Sequence, residues 1–180
     1  MVTLLETARA LKAGSPIKND VIFLLTDGEE VGLLGAQAFV EQHPWAKEIG
    51  LALNFDSGGD TGNVYTYETS PGNARLISEY AKAAPYPAAN SMMSEVYSSM
   101  PNESDFTPFK KAGIQGFNFA HVRGKFRYHS MTDNKAKLDL GSIQHMDSYA
   151  ISPTRHFGNL DLSNLHQDKD PVYFNIFTFY

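Results

Sequence analysis

The run Val21-Ile22-Phe23-Leu24-Leu25-Thr26, ending in Asp27-Gly28-Glu29-Glu30, constrains this chain more than any other segment. A short apolar, β-branched-rich run bounded by a turn signal reads as a strand buried on both faces, the kind found in a sheet covered by helices. From Val31 the apolar residues return at helical spacing and run to about His43. Strand, acidic turn and helix make one unit of an α/β sheet, and in such sheets the functional crevice lies outside the carboxyl ends of the strands. Glu29 and Glu30 fall there. Packing carboxylates side by side is costly unless a positive charge, typically a metal ion, sits between them. The same two acids also suit a helix N-terminus, where the macrodipole favours negative charge. On this motif alone both readings stand.

Further units follow the same plan. Val2 to Lys12 carries Leu4, Leu5, Ala8 and Leu11 on one helical face, with Gly14 as a stop. Leu51–Phe55 is a second apolar strand and ends in Asp56, followed by Ser57-Gly58-Gly59; Val64–Tyr67 is a third. Asn73–Ala83 fits a helix. Residues 84–102, rich in Pro, Ser, Asn and Met, read as a long irregular loop with at most one short strand. Loops of that length in a compact domain are more often functional than idle. Asp105–Ala112 is a short helix closed by Gly113, and Gln115–Ala120 a further buried strand. Asp139 caps a helix through Ile151, which Pro153 ends or kinks, and the tail from Asp170 to Tyr180 takes no assignment. This alternation predicts an α/β three-layer sandwich with a mostly parallel central sheet. At 180 residues it is one domain.

Charge and composition exclude several functions. A net charge of −5 with no Lys/Arg run argues against nucleic acid as a partner. With no cysteine, disulfides and thiolate metal ligands are ruled out. No apolar run is long enough to span a bilayer, and no signal peptide precedes the first helix. What remains is chemistry from carboxylates and imidazole. Glu29/Glu30, Asp56 and His129 all follow predicted strands, and such ligands without cysteine suit a hydrolytic metal such as zinc. One glutamate can bind the metal while its neighbour takes a proton from water, and Tyr128 can donate a hydrogen bond to a developing oxyanion.

Four segments occur in order: Thr26-Asp27-Gly28-Glu29-Glu30-Val31-Gly32-Leu33-Leu34-Gly35-Ala36, Asn54-Phe55-Asp56-Ser57-Gly58-Gly59, Glu103-Ser104-Asp105-Phe106-Thr107-Pro108-Phe109 and Tyr128-His129-Ser130-Met131-Thr132-Asp133. Together they resemble the co-catalytic zinc aminopeptidase family, which includes bacterial leucyl aminopeptidases, and within it the endoplasmic-reticulum metallopeptidase type. The resemblance runs from Val2 to about Tyr173 and implies a zinc-exopeptidase-like fold. It implies Glu29 as general base, Glu30 and His129 as ligands of one zinc, and Asp56 as a ligand of the other. Tyr128 would polarise the scissile carbonyl or its oxyanion, and Asp105 would meet the substrate's free amino terminus. The implied reaction is release of N-terminal residues from peptides, with two zinc ions per complete site.

Members of that family supply two more ligands ahead of the helix that opens this chain: a histidine in a His-x-Asp element and a metal-bridging aspartate in an Asp-Asp-x-x-Gly element. Neither is present. Residues 1–180 are therefore expected to be a single, incomplete catalytic domain lacking N-terminal strands, with an uncapped first helix. Catalytic zinc normally keeps three protein ligands, so weak or partial zinc occupancy and impaired activity are expected. An exposed sheet edge would invite self-association. Two alternatives stand beside the peptidase: a glutaminyl-cyclase-like enzyme with one zinc, and a non-enzymatic binding domain like the transferrin-receptor ectodomain. Resemblance places the protein outside the cytoplasm or at a membrane, attached only through segments this chain lacks. His43, His145, His156 and His166 read as surface or locally bonded, and His121 is singled out because it follows a predicted strand. Arg123, Lys125 and Arg127 read as a solvated basic loop in preference to a site for substrate carboxylates, and Met92, Met93 and Met100 lie where a specificity pocket could form but also suit ordinary gap-filling.

Overall fold

The computed structural model describes residues 1–176. In chain order its elements are α1 (Val2–Ala13), α2 (Leu34–Gln42), β1 (Ala52–Ser57), β2 (Thr61–Thr69), α3 (Ala74–Ala83), α4 (Ser91–Ser98), α5 (Phe106–Lys111), β3 (Gly116–Arg123) and α6 (Leu140–Phe157). Short 3-10 turns cover Pro44–Glu48 and Lys135–Lys137. The strands lie in the order β1-β3-β2, with β1 parallel and β2 antiparallel to β3. Helix α6 packs on β2 and β3 with α1 and α3 against it, while α5 packs on β1 and β3 with α2 against it. This is the expected α/β sandwich, but its three strands among the described residues form one parallel and one antiparallel pair, a mixed sheet in place of a mostly parallel one.

Side chains alternate across the strands, so each strand feeds two cores. Leu53, Phe55, Phe117 and Phe119 join Leu76, Ile77, Tyr80, Met146, Tyr149 and Phe157 on one face. Ala52 joins Ala36, Phe39, Phe106 and Phe109 on the other. The first core is aromatic: Tyr80 lies 4.6 Å from Phe117 and Tyr149 5.3 Å from Phe119, between ring centres. Their hydroxyls are satisfied, with Thr66 Oγ1 donating to Tyr80 (2.8 Å) and Ala88 N–H donating to Tyr149 (2.6 Å). Burying such rings on both sides of β3 fixes the sheet and the loop ends it presents.

Four further expectations need correction. Val21–Thr26 is not a strand. A strand exists only where a neighbour takes its backbone hydrogen bonds, and no ladder pairs this run among the described residues. It is half exposed rather than buried, with Ile22 at 40% and Leu25 at 54%. Between it and the outer edge of β1 lies a groove of ≈ 1020 Å³, lined by residues of both segments. The helix expected from Val31 starts at Leu34, because Gly32 (φ 116°) and Leu33 (φ 59°) are left-handed and extend the acidic turn. Residues 84–102 contain α4, whose start is capped by Asn90 Oδ1 accepting from Met93 N–H at 2.9 Å. Finally, α6 continues through Pro153 to Phe157: the lost backbone bond is offset by a buried face of Tyr149, Ala150, Pro153 and Phe157. Asp139 caps α6 as expected, accepting from Ser142 N–H at 2.7 Å. The last four tail residues lie outside the described residues.

Candidate active site

Parallel pairing of β1 with β3 sets Asp56 level with Ala120 and Ser57 level with His121, at one end of the sheet. Asp56 is half-buried there, with Oδ1 accepting from Ser57 N–H at 2.6 Å. Chain leaving β3 turns back and delivers Tyr128 and His129 to the same end. The acidic turn arrives from the other side. In it the Glu29 carbonyl accepts from Leu33 N–H at 2.9 Å, and the Gly28 carbonyl from Leu34 N–H at 3.1 Å, which ties the turn to α2.

These folds bring the predicted residues together in part. His129 Nε2 and Glu30 Oε1 form a short hydrogen bond, and the Tyr128 ring stacks on the His129 ring at 3.9 Å. His129 adopts a left-handed backbone (φ 57°), which a non-glycine residue holds only when its surroundings impose it. Asp105 stands at the start of α5; Thr26 Oγ1 donates to its Oδ2, and its buried Oδ1 has no partner among the described residues. Burial raises the Glu29 carboxyl above the usual range, and the carboxylates of Asp56, Glu30 and Asp105 raise it further against an opposing effect from His129. Burial likewise raises Asp56; the Ser57 N–H opposes this, and Asp105 and Glu30 add to it. The Tyr128 phenol moves up for the same reasons, burial first and then Glu30, Asp56 and Glu29.

A carboxyl whose folded-state pKa lies above its unfolded value contributes stability below the unfolded pKa, near 3.9 for Asp, and loses it as pH rises through the folded one. In chelator, Asp56→Asn is therefore expected to raise the urea midpoint at pH 7, with the gain shrinking toward pH 4. An equal gain at both pH values would contradict this.

Several neighbours escape the sequence. Behind Asp56 on the same face runs a polar ladder: Asn54 donates to Asn118 (2.8 Å), and Asn118 donates to Glu68 (3.0 Å) and Ser104 (2.6 Å). Glu68, nearly fully buried, is paired with Lys110. Tyr67 and Tyr97 meet edge-to-face at 4.8 Å beside it; burial raises the Tyr67 phenol and pushes Tyr97 up to about 12. His121 lies within β3, with Nε2 2.9 Å from Ser57 Oγ, and burial lowers its pKa. The basic loop is not wholly solvated, since Arg127 pairs with buried Asp60. The one signal for the ladder was asparagine at matching places, Asn54 and Asn118, in otherwise apolar strands.

Carboxylate and imidazole donors suit zinc in kind. In number they do not complete a site. Glu30 and His129 touch, but among the described residues no group of three or more His, Asp or Glu side chains is placed to hold a metal ion. A catalytic zinc requires three.

Residues 1–153 match the family described as Peptidase family M28. The putative endoplasmic reticulum metallopeptidase 1-A of Caenorhabditis elegans is 30% identical over 142 residues, 77% of this chain and 16% of that protein. The vacuolar membrane protease of Candida dubliniensis is 31% identical over 175 residues, 96% of this chain and 18% of that protein. Endoplasmic reticulum metallopeptidase 1 of Mus musculus is 28% identical over 180 residues, 96% of this chain and 20% of that protein. The chain thus spans a fifth or less of the length of these curated relatives. Among solved structures, a zinc aminopeptidase from Bacillus subtilis shares the fold, with a TM-score of 0.62 at 21% identity over 92% of this chain and 43% of that one.

Proposed function

Because this chain belongs to peptidase family M28, we propose that it carries the proton-transfer part of a metal-dependent aminopeptidase site and releases N-terminal residues from peptides. The observation that carries this reading is the meeting of Glu30 with His129 at the sheet end, with Glu29 under the influence of Asp56, Glu30 and Asp105. Glu29 is the general base: its raised pKa suits it to take a proton from the attacking water as the water oxygen bonds to the scissile carbonyl carbon. Tyr128 donates its hydroxyl proton in a hydrogen bond to the resulting oxyanion. As the C–N bond breaks, Glu29 returns the proton to the leaving amine. Asp105, with one buried oxygen unpartnered among the described residues, receives the substrate's ammonium group.

Glu30 and His129 are the proposed ligands of one zinc and Asp56 a ligand of a second. The two donors in contact support partial occupancy and impaired turnover. The reading is tested with zinc in excess: a leucyl chromogenic substrate should be cleaved slowly and a glutaminyl peptide not cyclised. Cyclisation would instead favour the glutaminyl-cyclase-like alternative, and neither reaction the binding-domain alternative.

Names of the relatives support a location at the endoplasmic reticulum or the vacuolar membrane. Among the described residues no helix is long and apolar enough to cross a membrane. The outer edge of β1, unpaired among the described residues and facing the groove, supports self-association. Size-exclusion chromatography should show a concentration-dependent shift to larger species; a monomer at high concentration would sink this part.

A further inference from the structure

The Tyr128–His129 pair sits on an exposed loop, yet its geometry is defined by a contact beneath it. Asp60, just after β1, is 2% exposed and forms a short ion pair with Arg127 Nε through Oδ2. Its Oδ1 has no hydrogen-bond partner among the described residues, so Arg127 is the cation that compensates the buried charge. The backbone of Asp60 joins three segments. Its N–H donates to the Arg123 carbonyl at 3.0 Å, and its carbonyl accepts from Asp139 N–H at 3.0 Å, tying β3 and the start of α6 together. Gly124 (φ 83°) lies so close that a Cβ there would collide with Asp60 Oδ1.

From this fixed point the loop is built outward. The Arg127 guanidinium covers the Phe126 ring at 4.2 Å, and the Arg127 carbonyl accepts from both Ser130 N–H (3.0 Å) and Ser130 Oγ (2.6 Å). His129 is therefore held between two attached residues, with its left-handed backbone imposed from both sides. A basic side chain two residues before the histidine that meets Glu30 does not touch the reacting atoms. It acts through the backbone.

We propose that the Asp60–Arg127 pair is a positioning element that holds the 124–130 loop so that Tyr128 and His129 face Glu30. The consequence for zinc and substrate rests on the reading of Glu30 and His129 as ligands; the consequence for the loop does not. A pair that merely staples β3 to the start of α6 would affect the whole domain, whereas a positioning pair affects the loop even when stability is restored.

The test uses the full chain with Asp60→Asn, Arg127→Lys, and the double variant Asp60→Asn/Arg127→Met, which removes both charges and so leaves no buried charge unpaired. Hydrogen exchange is read at the amides of Tyr128, Ser130 and Asp133, each hydrogen-bonded within the loop, and zinc uptake is measured with Zn²⁺ alone. In the double variant these amides should exchange at least about tenfold faster while those of β3 and α6 keep their protection, and zinc uptake should fall by a similar factor. Arg127→Lys, which keeps the charge, should recover part of both. Unchanged loop exchange in the double variant would overturn the proposal, as would acceleration that only follows β3 and α6. Loop acceleration in a chain that takes up no zinc even as wild type would uphold the anchor and remove the ligand assignment.

Discussion

Glu29→Gln is expected to lower kcat for the leucyl chromogenic substrate by about 10²–10⁴-fold, the range a positioned general base contributes. Glutamine matches glutamate in shape and keeps a hydrogen-bonding oxygen, but it cannot hold the proton that the attacking water gives up. The effect should appear in kcat far more than in KM, because the proton moves only as the water attacks. Zinc uptake should be unchanged, since Glu30 rather than Glu29 is in contact with His129. Folding should not suffer either: Glu29 is pushed toward its neutral form by burial and by Asp56, Glu30 and Asp105, so removing its charge relieves repulsion. A variant that keeps turnover within about threefold of wild type would remove Glu29 from the base role, as that falls far below what a base contributes. Loss of folding together with activity would instead mark Glu29 as structural.

How far the sequence carried depends on what kind of interaction decides each element. β1, β3, α3 and α5 were legible because their apolar pattern is settled locally and by burial. Val21–Thr26 has strand composition, but a ladder belongs to two segments, and this run has no pairing partner among the described residues. The helix α4 was hidden because Ser91–Ser98 is short and weakly patterned; its start is fixed by the single Asn90 cap. Pro153 broke a local rule that tertiary packing overrode. For the site, Glu29, Glu30, Asp56 and His129 were readable as candidates from residue type and motif, although of the four Asp56 alone stands in a strand among the described residues. Their distances were not readable, since the Glu30–His129 contact joins residues 99 apart in sequence. Asp60 and Arg127 were missed for the same reason: a charge looks solvated in a sequence unless its buried partner, here 67 residues away, is known.

The metal gives the second large effect. At the proposed site Glu30 and His129 are the donors in contact, and among the described residues no third joins them, one short of a catalytic zinc centre. Loss of one of two ligands leaves a single carboxylate, which in water does not retain zinc, so His129→Ala should abolish whatever uptake the wild type has. His43, His145, His156 and His166 make local contacts with Trp45, Val64, Glu79 and Gln115, so their alanine variants should leave uptake unchanged. The decisive measurement is zinc content after loading with excess Zn²⁺ and dialysis into metal-free buffer, for wild type and His129→Ala side by side. The wild type should retain below about one equivalent and His129→Ala none, as expected for a centre with fewer than three ligands. Near two equivalents held by the wild type, or retention indifferent to His129, would contradict the account.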